Sequence, residues 1–255
     1  MKFEIQSKTV RTSFSIGLPL FFTLMILVIP NILSAGVAFT ASPNVLVREN
    51  SDTYAGYVGN TFESNISYVQ ASWMVPTLKC ASTSTPQSQF LVGFGGWNGG
   101  FAYSCSGGIK SIGEYSALYL VNSFYGPVPS GDHVFAGDKM TVSVGVFANV
   151  WKILLKDKTQ GWQINNVSEG ISQGNIFFFT LAGSIPNPDF GAIKVTKVCV
   201  TAVTNCDGLK YYASNEDFSL AEYNWINPST SHILASATNF KRNGSSFSIL
   251  WNASS

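Results

Sequence analysis

The chain has 255 residues, of which 45% are hydrophobic and 14% aromatic, enough for a packed core in one large or two small domains. Only 11% of the residues are charged, and 15 basic against 14 acidic residues leave a formal net charge of +1. This balance excludes the basic surface that binds nucleic acid or an anionic membrane.

The N-terminus has three basic residues followed by a run without charge from Thr12 to Val47. This pattern is typical of a signal peptide over residues 1–41, with small residues from Ser34 to Ala41 as the cleavage region. The alternative is an uncleaved anchor, which would confine membrane contact to this segment. Pro19 and Pro30 interrupt the apolar run and favour the signal. Both interpretations place the folded part outside the cell or at its surface.

The cysteines and glycosylation motifs agree with export. Three sets of disulfide pairings are possible among the four cysteines, Cys80, Cys105, Cys199 and Cys206. A Cys199–Cys206 bond would span a short turn, which disulfide geometry permits. Asn-x-Ser motifs begin at Asn65, Asn166, Asn243 and Asn252. The two histidines stand apart from each other and from any cysteine, so no metal site is expected.

Beyond residue 44 the chain alternates short apolar runs with Gly, Pro, Asn and Ser. The predicted strands, rich in β-branched and aromatic residues, are YVQASWMVP, QFLVGFGG, KMTVSVGVF, VWKILLKD, NIFFFTLAG, AIKVTKVCVTAV and SSFSILW. The turn residues in KILLKDKTQGWQI predict a hairpin. Because no capped helix separates these runs, we expect a single domain over residues 44–255, an antiparallel β-sandwich.

Seven segments in order make the chain recognisable: YAGYVG, SWMVP, QFLVGFGGW, AGDKMTVSV, KDKTQGW, PDFGAIKVT and NGSSFSILW. Together they resemble the glutamic peptidases, or eqolisins. The resemblance implies an all-β fold of two curved antiparallel sheets, a concanavalin-like jelly roll. It also implies a secreted acid endopeptidase without a metal or organic cofactor, and a disulfide between Cys80 and Cys105.

In the family that the chain resembles, a Gln and a Glu face each other across the concave sheet. The carboxylate acts as general base on a water, and the amide helps to stabilise the oxyanion. In this sequence no Gln occurs between Phe90 and Thr159. The Gln position therefore falls on Cys105 or is lost in a shortened loop around Asn98 to Tyr103.

The Glu position is also altered. LAEYNWI, which contains Glu222, looks like the family's Glu strand but follows PDFGAIKVT, whereas that strand should precede it. We therefore expect Glu222 on a late strand or turn, outside the catalytic site. GNIFFFTLAG is then the counterpart, which puts Asn175 or a neighbouring apolar residue where the carboxylate belongs. A neutral Asn175 cannot take a proton from water as a carboxylate does.

Two other groups of residues are candidates for a site. Glu114 is the only carboxylate between Phe90 and Gly131 and, with Glu222, is a candidate substitute for the missing catalytic carboxylate, although a glutamate at a strand end is usually solvated. Four aromatic residues are candidates for lining a groove, against the alternative that they belong to the core: Trp73, Trp97, Tyr119 and Trp151.

The sequence therefore predicts a secreted or surface protein with the glutamic peptidase fold, without peptidase activity, that binds extended polypeptide or a surface protein or builds a surface structure. The alternative is an acid endopeptidase with a rebuilt catalytic site. A further alternative has ASPNVLVREN donating an edge strand to a neighbouring subunit in a filament.

Overall fold

The computed structural model describes residues 45–61, 66–81, 83–109, 112–122, 124–170, 176–183, 187–201, 218–241 and 245–252. These residues belong to the compact unit Phe39–Ser255. The predicted signal segment lies outside them. None of the described residues forms a helix that could cross a membrane.

The described residues form fifteen β-strands and no helix. In chain order they are β1 (Val45–Ser51), β2 (Tyr54–Thr61), β3 (Tyr68–Met74), β4 (Ser88–Phe94), β5 (Trp97–Cys105), β6 (Gly113–Val121), β7 (Phe124–Tyr125), β8 (Lys139–Phe147), β9 (Val150–Asp157), β10 (Gln163–Glu169), β11 (Ile176–Ala182), β12 (Ala192–Thr201), β13 (Phe218–Ile226), β14 (Ile233–Ala237) and β15 (Ser246–Trp251). All seven predicted strands are present, and KILLKDKTQGWQI forms the β9–β10 hairpin, as predicted.

The strands form one sheet in the order β10-β9-β8-β3-β12-β15-β14-β13-β2-β11-β4-β5-β6-β7. Every pair along this order is antiparallel, whereas β1 pairs in parallel with β13. The strand contained in ASPNVLVREN is thus paired within its own chain. We call β10, β9, β8, β3 and β12 layer A, and β2, β11, β4, β5, β6 and β7 layer B.

The sheet folds back so that layers A and B pack face to face. Trp73 of β3 meets Phe90 of β4 with ring centroids 5.0 Å apart, although these strands are not neighbours in the sheet. Trp97 of β5 stacks on Trp151 of β9 at 5.5 Å and 12°. Apolar side chains from both layers form one buried core cluster. The predicted all-β sandwich is therefore confirmed, with its two layers joined edge to edge through β15, β14 and β13.

Candidate functional site

The strands at the centre of layer B present one face to the core and the other outward. On β5, Trp97 and Phe101 point to the core, since both have ring contacts with layer A. Alternation then places Asn98 and Gly100 on the outer face. Two rows cross this face in register: Thr180, Leu91, Gly100 and Leu118, and beside it Gly93, Asn98 and Leu120.

Glycine is required in this outer face for close approach of the strands. A Cβ at Gly93 would collide with the carbonyl oxygen of Trp97, and one at Gly100 with that of Phe90. A larger residue at either position forces the backbone to move. The centre of the outer face is therefore free of side chains at these two positions and is flanked by leucines.

Asn98 is the polar side chain at the centre of this surface. It is 6% exposed, and its Oδ1 is buried without a hydrogen-bond partner among the described residues. A buried amide oxygen left unpaired costs about 1–3 kcal/mol, so its presence calls for a reason. Asn98 offers a dry, neutral hydrogen-bonding group, but it cannot act as a general base at ordinary pH.

The structure corrects the expected location of the Gln position. Residues 98–103 do not form a shortened loop, because β5 runs without interruption from Trp97 to Cys105 and pairs with β4 and β6 along its length. Cys105 is bonded to Cys80, as the resemblance implied, so its sulfur cannot serve the outer face. Sequence reasoning missed Asn98, although the alternation in WNGGFAYSC was the signal that separates it from Trp97 and Phe101.

The strand expected to carry the Glu is β11, next to β4. Asn175 lies outside the described residues. The sequence contains no Asp or Glu between Glu169 and Asp189, and none between Glu63 and Glu114. Strands β4, β5 and β11 therefore carry no carboxylate on either face. Thr180 is the buried polar side chain of β11 nearest to the centre of the outer face.

Glu114 lies on the outer face of layer B but far from its centre. It is exposed and pairs with Ser104 on β5, six residues along the strand from Asn98. At about 3.3 Å per residue, its backbone is about 20 Å from that of Asn98. Glu114 is the solvated strand-end glutamate that its sequence context suggests.

Glu222 lies on β13, a late strand as expected, but it is buried, with 4% of its surface exposed. Its Oε2 lies 3.3 Å from Nε of Arg48 and accepts a hydrogen bond from the Tyr57 hydroxyl at 3.5 Å. The single proton of this hydroxyl is shared with the Thr238 carbonyl, the nearer acceptor at 2.8 Å. Burial, and secondly the charge of Glu222, raise the pKa of Tyr57, so this phenol remains a donor. Glu222 thus has its partners in an interior network.

Glu222 and Glu114 do not form a pair. Four strands, β2, β11, β4 and β5, separate β13 from β6 in the sheet. At about 4.8 Å per strand, the two backbones are about 24 Å apart. Glu222 shares the interior side of the sheet with Tyr57, whereas Glu114 is on the outer side. No rebuilt dyad joins these two carboxylates.

The aromatic residues predicted as groove candidates belong to the core. Trp73, Trp97, Tyr119 and Trp151 are all buried in the cluster between the layers. Trp97 donates to Oδ1 of Asn122 and Tyr119 donates to the carbonyl of Pro127. The groove interpretation is therefore corrected: Trp97 and Tyr119 face layer A and Trp73 and Trp151 face layer B, because the sheet doubles back, and none of the four lines an outer face.

The remaining expectations concern disulfides, glycosylation and metals. Cys199 is also disulfide-bonded, while Cys206 lies outside the described residues. Asn166 is half-buried on β10 and Asn252 is exposed after β15; Asn65 and Asn243 lie outside the described ranges. In the part of the chain that is described, no three His, Cys, Asp or Glu side chains gather as a metal site would require.

The family model of the Peptidase A4 family matches residues 52–218, more than half of the chain. The chain belongs to the Peptidase A4 family. The matched stretch contains β2 to β12 and therefore Asn98 and both layers, but it ends where β13 begins. No curated protein matches the chain by sequence.

Solved structures of A4 peptidases share the fold. Scytalido-glutamic peptidase with a peptide-based transition state analog has 15% sequence identity and a TM-score of 0.58, covering 79% of this chain and 99% of that chain. SCP-B, an eqolisin in complex with the tripeptide Ala-Ile-His, has 15% identity and a TM-score of 0.56 with the same coverage. These similarities confirm the eqolisin architecture that the seven segments suggested.

Proposed function

We propose that this A4 family member is an exported protein that binds extended polypeptide on the outer face of layer B without cleaving it. The observation that carries the proposal is the absence of any carboxylate from β4, β5 and β11, together with the neutral Asn98 at the centre of that face. A water at the centre of this face, next to Asn98, has no carboxylate of β4, β5 or β11 beside it to act as general base.

Binding is proposed because this surface has the properties of a peptide site. It is uncharged at its centre, is bordered by Leu91, Leu118 and Leu120, and holds one unpaired amide oxygen. The related scytalido-glutamic peptidase and SCP-B structures contain peptide-based ligands. Export is supported by the N-terminal pattern, the Asn-x-Ser motifs and the Cys80–Cys105 disulfide.

Cleavage of a reduced, alkylated protein substrate by the purified chain, from pH 2 to pH 7, tests the catalytic part. Glu114→Gln and Glu222→Gln are measured alongside, with Glu169→Gln on β10 as the control. We expect no cleavage by any of them while thermal unfolding shows a folded protein. Cleavage that is lost in Glu114→Gln or Glu222→Gln alone would instead establish a rebuilt acid endopeptidase.

Binding of the same unfolded substrate tests the other part. Asn98→Leu fills the site and removes the amide, so we expect at least a tenfold weaker Kd with no loss of thermal stability, because an unpaired buried polar atom is removed. Ser116→Ala, at the edge of the same face, serves as the matched control. Equal affinity of Asn98→Leu and the unchanged chain would contradict a polypeptide site on this face.

A further inference from the structure

Layer A carries two adjoining cavities on its own outer face, on the opposite side of the sandwich from Asn98. The first has a volume of about 450 Å³ and the second about 240 Å³. Both are lined by Tyr68 of β3 and Ser143 of β8, so they form one continuous depression. We call this depression the lysine groove, for the residues at its second end.

The first end of the lysine groove is mostly apolar and open to solvent, with Lys152 as the one charged residue of its lining. Phe147 is 73% exposed and Val167 is 56% exposed, and Val150 and Val146 complete this wall. Large apolar side chains exposed together mark a site of interaction more often than singly exposed ones do. The volume of this end falls within the range of small-molecule sites, roughly 300–1,000 Å³.

The second end is polar and basic. Lys156, Lys158 and Lys197 line it, with Gln70, Ser72 and Thr141 as hydrogen-bonding neighbours. No carboxylate lines either cavity. Neither ion pair found among the described residues involves one of these lysines. Their charges therefore remain uncompensated and favour an anionic group at this end.

The other carboxylates nearby leave this basic end intact. Asp157 is buried in the interior below the groove, where backbone amides of Thr159 and Gln160 donate to it. Glu169 is exposed and pairs with Val150, beyond the apolar end. The positive charge of the groove is thus concentrated at its second end, where three lysines lie against one, Lys152, at the first end.

The backbone at Lys197 departs from regular strand geometry. β12 shifts register against β3 between Thr196 and Cys199, and Lys197 has a φ of 51°. A left-handed conformation costs a non-glycine residue about 1–2 kcal/mol, and bulges of this kind redirect a side chain. Here the redirected residue is a lysine that lines the second end of the groove.

The position of the groove determines how an occupant is recognised. It lies on a sheet face, where the backbone groups of β3, β8 and β9 are already paired, so, as on the outer face of layer B, no ligand can be held as a further strand. Recognition must come from shape and charge. The row with Val150, which pairs with Phe147, and the row with Lys156 are six residues, about 20 Å, apart. An apolar chain ending in an anion matches this spacing.

We propose that the lysine groove binds a single-chain anionic amphiphile, a long-chain carboxylate, with the chain against Phe147 and Val167 and the carboxylate at Lys156 and Lys197. This site is independent of the polypeptide binding proposed for layer B. It predicts that affinity depends both on the length of the chain and on the negative charge.

Hexadecanoate binding to the full chain, measured by calorimetry below its critical micelle concentration, tests this assignment. In Lys156→Gln/Lys197→Gln we expect the Kd for hexadecanoate to weaken at least tenfold, because two charge-assisted hydrogen bonds are lost. Hexadecanol binding should be unchanged in this variant. Phe147→Ser/Val167→Ser should weaken both ligands, and Lys241→Gln, an exposed lysine elsewhere, should weaken neither. Thermal unfolding verifies that each variant is folded.

A photoreactive hexadecanoate with a diazirine near its methyl end locates the site. Attachment to peptides of β8 or β10, found by mass spectrometry and competed by hexadecanoate, supports the proposal. Attachment confined to residues 1–44, no binding by the unchanged chain, or equal affinity in all lysine variants would overturn it. Preferential binding of an acidic peptide over hexadecanoate would overturn it as well.

Discussion

At the scale of single residues, Glu222 resembles a catalytic carboxylate in its sequence context, but its contacts in the fold are those of a residue that stabilises the interior. Its neighbours in the sequence, Ala221 and Tyr223, resemble those of the catalytic Glu strand of the glutamic peptidases. Its side chain, however, is buried against Tyr57 and ion-paired with Arg48. Arg48 remains 62% exposed, so water screens its side of the pair. The buried carboxylate is therefore the partner that depends on the interaction.

Arg48→Ala should destabilise the chain by about 1–2 kcal/mol, because a buried carboxylate loses its charged partner. In a Glu222→Gln background, Arg48→Ala no longer removes an ion pair. It should then lower the free energy of unfolding only by the value of the hydrogen bond from Arg48 to Oδ1 of Asn239, plus less than about 0.5 kcal/mol. Asn239→Ala measures that bond separately. Chemical denaturation of the four members of the cycle is the measurement, and equal costs in both backgrounds would contradict the ion-pair explanation.

At the scale of elements, the β9–β10 hairpin brings Asp157 close to Asp138, which lies before β8. Asp138, before β8, accepts from the amide of Phe135 at 2.7 Å and from the side chain of Gln160 at 2.9 Å. Asp157, at the end of β9, keeps one oxygen buried without a donor. Burial raises the pKa of Asp157, two backbone amides from the turn oppose this, and the neighbouring Asp138 carboxyl raises it further. A proton on Asp157 therefore has an acceptor in Asp138.

This pair makes stability depend on pH. An acid whose pKa is higher in the folded chain than in the unfolded chain stabilises the fold when protonated. Its contribution is fully present below the ordinary Asp pKa, about 4, and is lost as the pH rises through the raised folded value. We expect Asp157→Asn to flatten this part of the Tm profile from pH 3 to pH 7 and to raise Tm at its neutral end. Lys158→Gln, in the same turn, should leave the shape of the Tm profile unchanged. If the Tm profile of Asp157→Asn runs parallel to that of the unchanged chain, Asp157 is not the source of the pH dependence.

Strand positions were predictable from the sequence, and the side that each strand buries was only partly so. In KMTVSVGVF the alternation of Met140, Val142 and Val144 with polar residues identifies the buried face directly. In WNGGFAYSC nearly every residue is buried, so period-two alternation separates two faces without saying which one meets layer A. That depends on how the sheet doubles back, a long-range property that also placed Trp73 and Trp97 in the core.

At the scale of the whole molecule, the strands that join the two layers lie outside the family match. β15 pairs with β12 of layer A, β14 pairs with β15, and β13 connects them to β2 of layer B. The match ends at residue 218, so β14, β15 and nearly all of β13 follow it. The C-terminal strands therefore complete the hydrogen bonding that makes a single sheet of the two layers.

A chain that ends after Lys241 loses β15 and should not fold. Phe247 and Ile249 are fully buried in the core cluster, and their loss alone removes about 4 kcal/mol of hydrophobic stabilisation. The pairing edges of β12 and β14 are exposed at the same time, which brings the total loss close to the 5–15 kcal/mol stability of an ordinary domain. A chain that ends after Asn252 keeps every described residue and is the control. Thermal unfolding and soluble yield compare the two; a cooperative transition in the shorter chain would mean that face-to-face packing of layers A and B suffices without the connecting strand.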